Sequence, residues 1–121
     1  MLERLRWSAQ AIAQPSTVQI ELFPEFVEVP DELALVWEEA IQDLDGIRSH
    51  LQDAQIAAIE ELDAFMISIS GKSHEQLWTM DALKSSLEWQ TMRELANRVL
   101  EQMFWPKSPP SACRDIYVPH R

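Results

Sequence analysis

The sequence predicts an all-α fold, or α with a minor β element, and three observations carry that prediction. Apolar residues make up 46% of the 121-residue chain and only two residues are glycine, a balance that favours a packed helical chain over a disordered one. Leu33, Val36, Trp37, Ala40, Ile41 and Leu44 recur at the i, i+3, i+4 spacing of one helix face. Trp89, Met92, Ala96, Val99 and Met103 step by three and four residues in a heptad-like seam. Three to four helices are expected within one domain spanning residues 1–121. It divides into an N-terminal segment and extended arm (1–30), a helical core (31–104) and a proline-rich tail (105–121).

Residues 1–14 have the make-up of a short helix with Leu2, Leu5 and Ile12 on one side, closed by Pro15. Residues 17–22 alternate polar and apolar with the period of a half-buried strand. A turn at Phe23-Pro24-Glu25 and a second extended piece at 26–29 follow. Asp31 is a good N-cap for the next helix, with Glu32 at the positive end of its dipole and Gly46 as a left-handed terminator. A helix over about 50–67 starts at the capping-box pair Ser49 and Gln52 and places Leu51, Gln55, Ala58, Leu62, Phe65 and Ile69 on one face. Ile56, Ile59, Met66 and Ile67 fall outside that stripe, so its second half is apolar nearly all round and needs cover on several sides. Its end, 65–70, also alternates as a strand would.

After Gly71, Ser73 and Gln76 form a second capping box, and helix runs to about residue 104, with Asp81 able to cap a restart. Glu94 and Arg98 are a favourable i,i+4 pair opposite the seam. Pro106, Pro109 and Pro110 then force an extended path. Residues 18–22 and 116–118 are the best strand candidates, and they are expected to pair as a small sheet because a lone strand leaves its backbone unsatisfied.

Charge separates the chain into two parts. Residues 1–70 hold 14 acids, three arginines and no lysine, whereas residues 71–121 hold six acids and seven bases. Thirteen of the acids fall within residues 21–63, where Arg48 is the only base. Such a block repels nucleic acid and anionic membranes, and it favours either a basic protein partner or none, the acids then being only a solvated face. Cys113 is the only cysteine, so no internal disulfide can form and a cytoplasmic, reducing setting is expected. No apolar run is long enough to span a membrane, and Trp7, Ser8 and Gln10 interrupt any secretory signal near the N-terminus.

No catalytic signature stands out. His50 with Asp53, and His74 with Glu75, lack the further ligands that a metal site needs. Cys113 beside Arg114 has only His120 near it as a base. Gly71-Lys72-Ser73 lacks the first glycine of a phosphate loop. Glu60-x-x-Asp63 resembles the second carboxylate motif of the all-α nucleotide pyrophosphatases, which hold Mg²⁺ between paired helices. The preceding helix offers Glu38, Glu39 and Asp43 without the matching i, i+3 glutamate pair. That resemblance implies a metal-dependent phosphohydrolase as the alternative function.

The leading expectation is a small, non-catalytic interaction or regulatory protein without cofactor, and an antitoxin or immunity-type inhibitor of a basic partner is a further alternative. Glu38, Glu39, Asp43 and Asp45 are the expected partner-binding acids. The Glu39/Asp43 pair is a like-charge repulsion that stabilises nothing in the free protein. A homodimer is expected to cover the remaining apolar surface through Phe65, Met66, Ile67, Trp89, Met92, Val99 and Met103. The five tryptophans suit core filling individually and an interface collectively.

Overall fold

The computed structural model describes residues 2–112, and these are all-helical. In chain order they form α1 (Glu3–Ala13), α2 (Ser16–Glu21), α3 (Val29–Ile41), α4 (Leu44–Ile47), a 3-10 turn (Arg48–His50), α5 (Asp53–Ser68), a kinked 3-10 segment (Lys72–Trp78), α6 (Met80–Ser85) and α7 (Leu87–Met103). The four long helices make the body. The N-terminal α1 lies between α3 and α7, and α5 packs on the other side of α7, so the spatial order is α3–α1–α7–α5. Leu5, Ala9 and Ile12 of α1, Leu33 and Trp37 of α3, Ile59 and Leu62 of α5, and Met92 and Val99 of α7 meet in one continuous core. Among the described residues no helix is long and apolar enough to cross a membrane.

The expected helix faces at 33–44 and 89–103 are both the buried faces, although Ile41 and Met103 are only half-buried. The small sheet is not formed among the described residues. Residues 17–22 are helical, because Pro15 in an extended conformation starts α2 and its carbonyl receives the N–H groups of Val18 and Gln19. Alternation over six residues did not reveal that Gln19, a polar position, is the most buried of them at 0% exposure. Residues 116–118, Cys113 and His120 lie outside the described residues.

Residues 24–27 form a turn, and α3 begins at Val29, so Glu28 holds the N-cap position while Asp31 and Glu32 occupy the first turn. Gly46 lies inside the one-turn α4 instead of terminating α3; the left-handed glycine is Gly71, at φ 97°. The capping box of α5 belongs to Gln52 and Gln55, one turn later than Ser49, and the helix continues through residues 65–68. Thr79, not Asp81, caps α6, while Gly71 opens the preceding 3-10 segment without the Ser73 box. Ser86 caps a separate α7. Arg98 reaches across to Glu61 at 3.2 Å, not along its own helix to Glu94.

Polar side chains join the pieces that apolar packing alone would leave loose. The buried Gln19 amide donates to the Ala11 and Ile12 carbonyls at the end of α1. Its oxygen accepts from Arg93 Nη2 at 2.8 Å. Arg93 also donates from Nε to the Gln14 carbonyl at 2.9 Å and from Nη2 to the Leu83 carbonyl at 2.6 Å, and its guanidinium carbon lies 5.9 Å from the Trp89 ring centre. The tail is laid along α1 by three more donors. Trp7 Nε1 bonds the Ser111 carbonyl, Gln10 Nε2 that of Pro106, and Gln14 Nε2 that of Lys107. α7 turns into this tail through Phe104, which is left-handed at φ 59°.

Two outcomes follow from these contacts. Arg93→Met keeps the apolar stem but removes the donors of three oxygens, and it should cost about 2–3 kcal/mol. Arg93→Lys should recover only part of that, since one ammonium cannot reproduce the planar fork. Urea unfolding midpoints of the three proteins check the order, and equal midpoints would contradict it. Phe104→Gly should stabilise by about 1 kcal/mol, because an exposed side chain is held in a conformation that glycine adopts freely. A lowered thermal midpoint in that variant would mean that the Phe104 ring holds the turn.

Candidate functional site

Three neighbouring seams of the α3–α1–α7–α5 order are not equivalent to the fourth. α3 meets α1, α1 meets α7 and α7 meets α5 over their lengths, but α3 and α5 make little direct approach to each other. What links them is a hydrogen bond from Trp37 Nε1 to Asp63 Oδ1 at 3.1 Å. Beside that bond the seam stays open as a cavity of about 360 Å³. Trp37, Ile41 and Met66 supply its apolar floor and Trp78 one end, while Glu38 and Asp63 supply acids. A second cavity of about 400 Å³ continues it along α3 to Asp31, Glu32 and Leu35, and the two share Ala34, Glu38, Ser70 and Trp78. Among the described residues no lysine or arginine lines either one.

The local sequence accounts for this shape. Along α3 the stripe Leu33, Val36, Trp37, Ala40 turns inward, so Asp31, Ala34, Leu35 and Glu38 fall on the edge that faces the seam. Along α5, Ile59, Leu62 and Met66 turn inward, which leaves Ile67 64% exposed at the lip. Trp78 is held across the end by its indole donating to the Ile69 carbonyl and by edge-on packing against Trp89.

The sequence-derived acids separate into two groups. Asp43 accepts from Arg4 through both carboxylate oxygens at 3.1 Å, and Asp45 lies 3.8 Å from Arg48. Glu38 and Glu39 are exposed, and among the described residues neither has a cation within ion-pair distance. Only Glu38 lines the seam. Crowding is visible at Glu32, where burial, with Asp31 and Glu39 adding their charge, holds the carboxyl above its ordinary range.

The carboxylates of the phosphohydrolase alternative do not converge. Asp43 is paired with Arg4, Glu60 with Arg48 at 3.0 Å, and Asp63 with the Trp37 indole. Among the described residues no three His, Cys, Asp or Glu side chains come together as a metal site would need. Of the expected dimer residues, Met66, Trp89, Met92 and Val99 are enclosed by the chain's own core, Phe65 and Met103 are half-buried, and Ile67 is exposed. The sequence pattern singled out neither Ala34 nor Ser70, and Trp78 only as one of five tryptophans, because the gap they border exists only once two helices, α1 and α7, separate α5 from α3 in the packing order.

Glu32 gives a pH signature. As pH rises, the unfolded carboxyl ionises first and the folded one later, so stability drops across the carboxylate range and that loss persists at neutral pH. Glu32→Gln removes the loss. The variant should gain on the wild type at about pH 7 and lose that gain at about pH 3, as read by thermal melts. A gain that is larger at the acidic pH would contradict the assignment.

Comparison of the chain with protein-family models, curated proteins and solved structures finds no match.

Proposed function

We propose that this protein is a small acidic interaction module, acting in a reducing, cytoplasmic setting, that engages a basic region of another protein through the α3 side of the bundle. One observation carries the reading. Among the described residues Glu38 and Glu39 have no cation within ion-pair distance, and Glu38 borders an apolar opening, in a chain that pairs Asp43, Glu60, Glu61 and Glu101 with its own bases. Exposed pairs of that kind add little stability; what distinguishes Glu38 is that it borders the opening and, among the described residues, has no cation within ion-pair distance. A charged face of this sort speeds encounter with an opposite charge and rejects like charge. An inhibitor that masks a basic toxin or nuclease is one form of the same reading.

The phosphohydrolase alternative gains no support from carboxylates that do not converge, with Asp43, Glu60 and Asp63 engaged elsewhere. Self-association through the α5 and α7 seam gains little, because four of its seven residues are already enclosed.

The test is affinity capture from native host extract with wild-type protein and with the Glu38→Gln/Glu39→Gln double variant, at about 50 and about 500 mM salt. Asp43 is left intact because its pair with Arg4 belongs to the fold. Basic proteins should be enriched by the wild type at low salt and lost on raising salt or removing the two charges. A captured set indifferent to both changes would contradict the proposal.

A further inference from the structure

We propose that the open α3/α5 seam is a docking trough for a basic amphipathic helix contributed by a partner protein. The inference rests on the interaction-module reading and names the site and the chemistry of its occupant.

α3 from Asp31 to Ile41 gives the trough one wall of about 15 Å, which is two to three turns of a bound helix. The opposite wall is the last turn of α5, and the exposed Leu35 and Ile67 form apolar lips on the two sides. An apolar seam between two helices can receive a further helix, whose apolar stripe fills the floor. Here large, shape-bearing groups bound the trough, Trp37 in the floor and Trp78 at one end, both fixed by indole hydrogen bonds. A floor set in advance lowers the ordering cost of binding.

Charge then selects the occupant. Glu38 stands between the two cavities, with Asp31 at one end and Asp63 at the other, and among the described residues no lysine or arginine lines the trough. A helix that carries apolar residues at i, i+3 or i+4 and i+7, flanked by Lys or Arg, satisfies floor and rim together. A second copy of this chain is a poor occupant, since it would bring another net charge of −10 against the same acids. The chain's own described tail is already committed to α1.

The experiment uses the full chain and a labelled synthetic helix of about 14 residues, with leucines at i, i+3, i+4 and i+7 and lysines on both flanks. A charge-inverted glutamate version is the control. Fluorescence anisotropy measures binding, and nitrogen-15 amide shifts of the wild type locate it. The lysine peptide should bind, the glutamate peptide should not, and the shifts should fall on residues 31–41, 63–70 and 78. Glu38→Lys should weaken the lysine peptide by about tenfold or more, while Glu39→Lys, one position off the trough, should weaken it only about two- to threefold. Ala34→Phe, which fills the opening without changing charge, should also abolish binding, and a thermal melt verifies that this variant is folded.

Equal losses for Glu38→Lys and Glu39→Lys, with shifts spread over the outer acids, would overturn the trough while leaving a general acidic face intact. Absence of binding at any site would remove the trough and weaken the interaction-module reading with it. Equal binding of both peptides would show apolar adhesion and overturn the charge argument. Concentration-dependent dimerisation that the lysine peptide displaces would assign the trough to a second copy and overturn the proposal.

Discussion

Arg93 reaches from α7 into the corner where α1 ends, α2 passes and α6 ends, and there it donates to the Gln14 and Leu83 carbonyls and to the Gln19 amide oxygen. Burial pulls its pKa below the usual arginine range, and among the described residues no carboxylate offsets that. The compensation comes from elsewhere. Two of its acceptors lie at helix C-termini, where unpaired carbonyls carry about half a negative charge, and the third is an amide oxygen whose own N–H groups already cap α1. One side chain thereby fixes the relative placement of four helices. Because α1 is the helix that both α3 and α7 pack against, holding its end also sets where α3 lies.

That placement explains how a chain with twice as many acids as bases divides its charge. Its few N-terminal cations serve the periphery. Arg4 ties α1 to the end of α3 through Asp43, and Arg48 ties the short connection to α5 through Glu60. Arg98 and Lys107 serve α5 and α7. None of them reaches the middle of α3. The seam beside it is left with an indole–carboxylate bond in place of side-chain packing, and its acids face solvent with an apolar floor beneath them. Where a protein leaves both apolar area and like charge unresolved at one place, an external group of opposite sign is the economical way to resolve them.

Much of the helical body was legible from periodicity, because the inward stripes of α3 and α7 repeat over several turns and are local patterns. The ends and the small elements were not. Residues 17–22 alternate like a strand, yet Gln19 is buried for the sake of Arg93, 74 residues away, a demand no local pattern carries. The seam residues Trp89, Met92 and Val99 read equally well as core or as interface, and what decides between them is the cover given by α1 and α5. Glu38 and Ile67 were singled out by charge and by excess apolar surface, and both border the trough or its lip. Ala34 and Trp78 border it as well, but a void between helices that are not neighbours in the packing order leaves no trace in sequence.

On this account the α3/α5 seam stays open in the free protein because the Arg93-tied bundle holds its walls apart. Attenuation of methyl signals by a neutral, soluble paramagnetic cosolute tests it directly. Ala34, Ile41 and Ile67, which border the seam, should lose intensity strongly, while Ile59, Leu62 and Val99, each 0% exposed, should be spared. Protection of Ala34 and Ile41 equal to that of Ile59 would show that the seam closes in solution and would contradict the account.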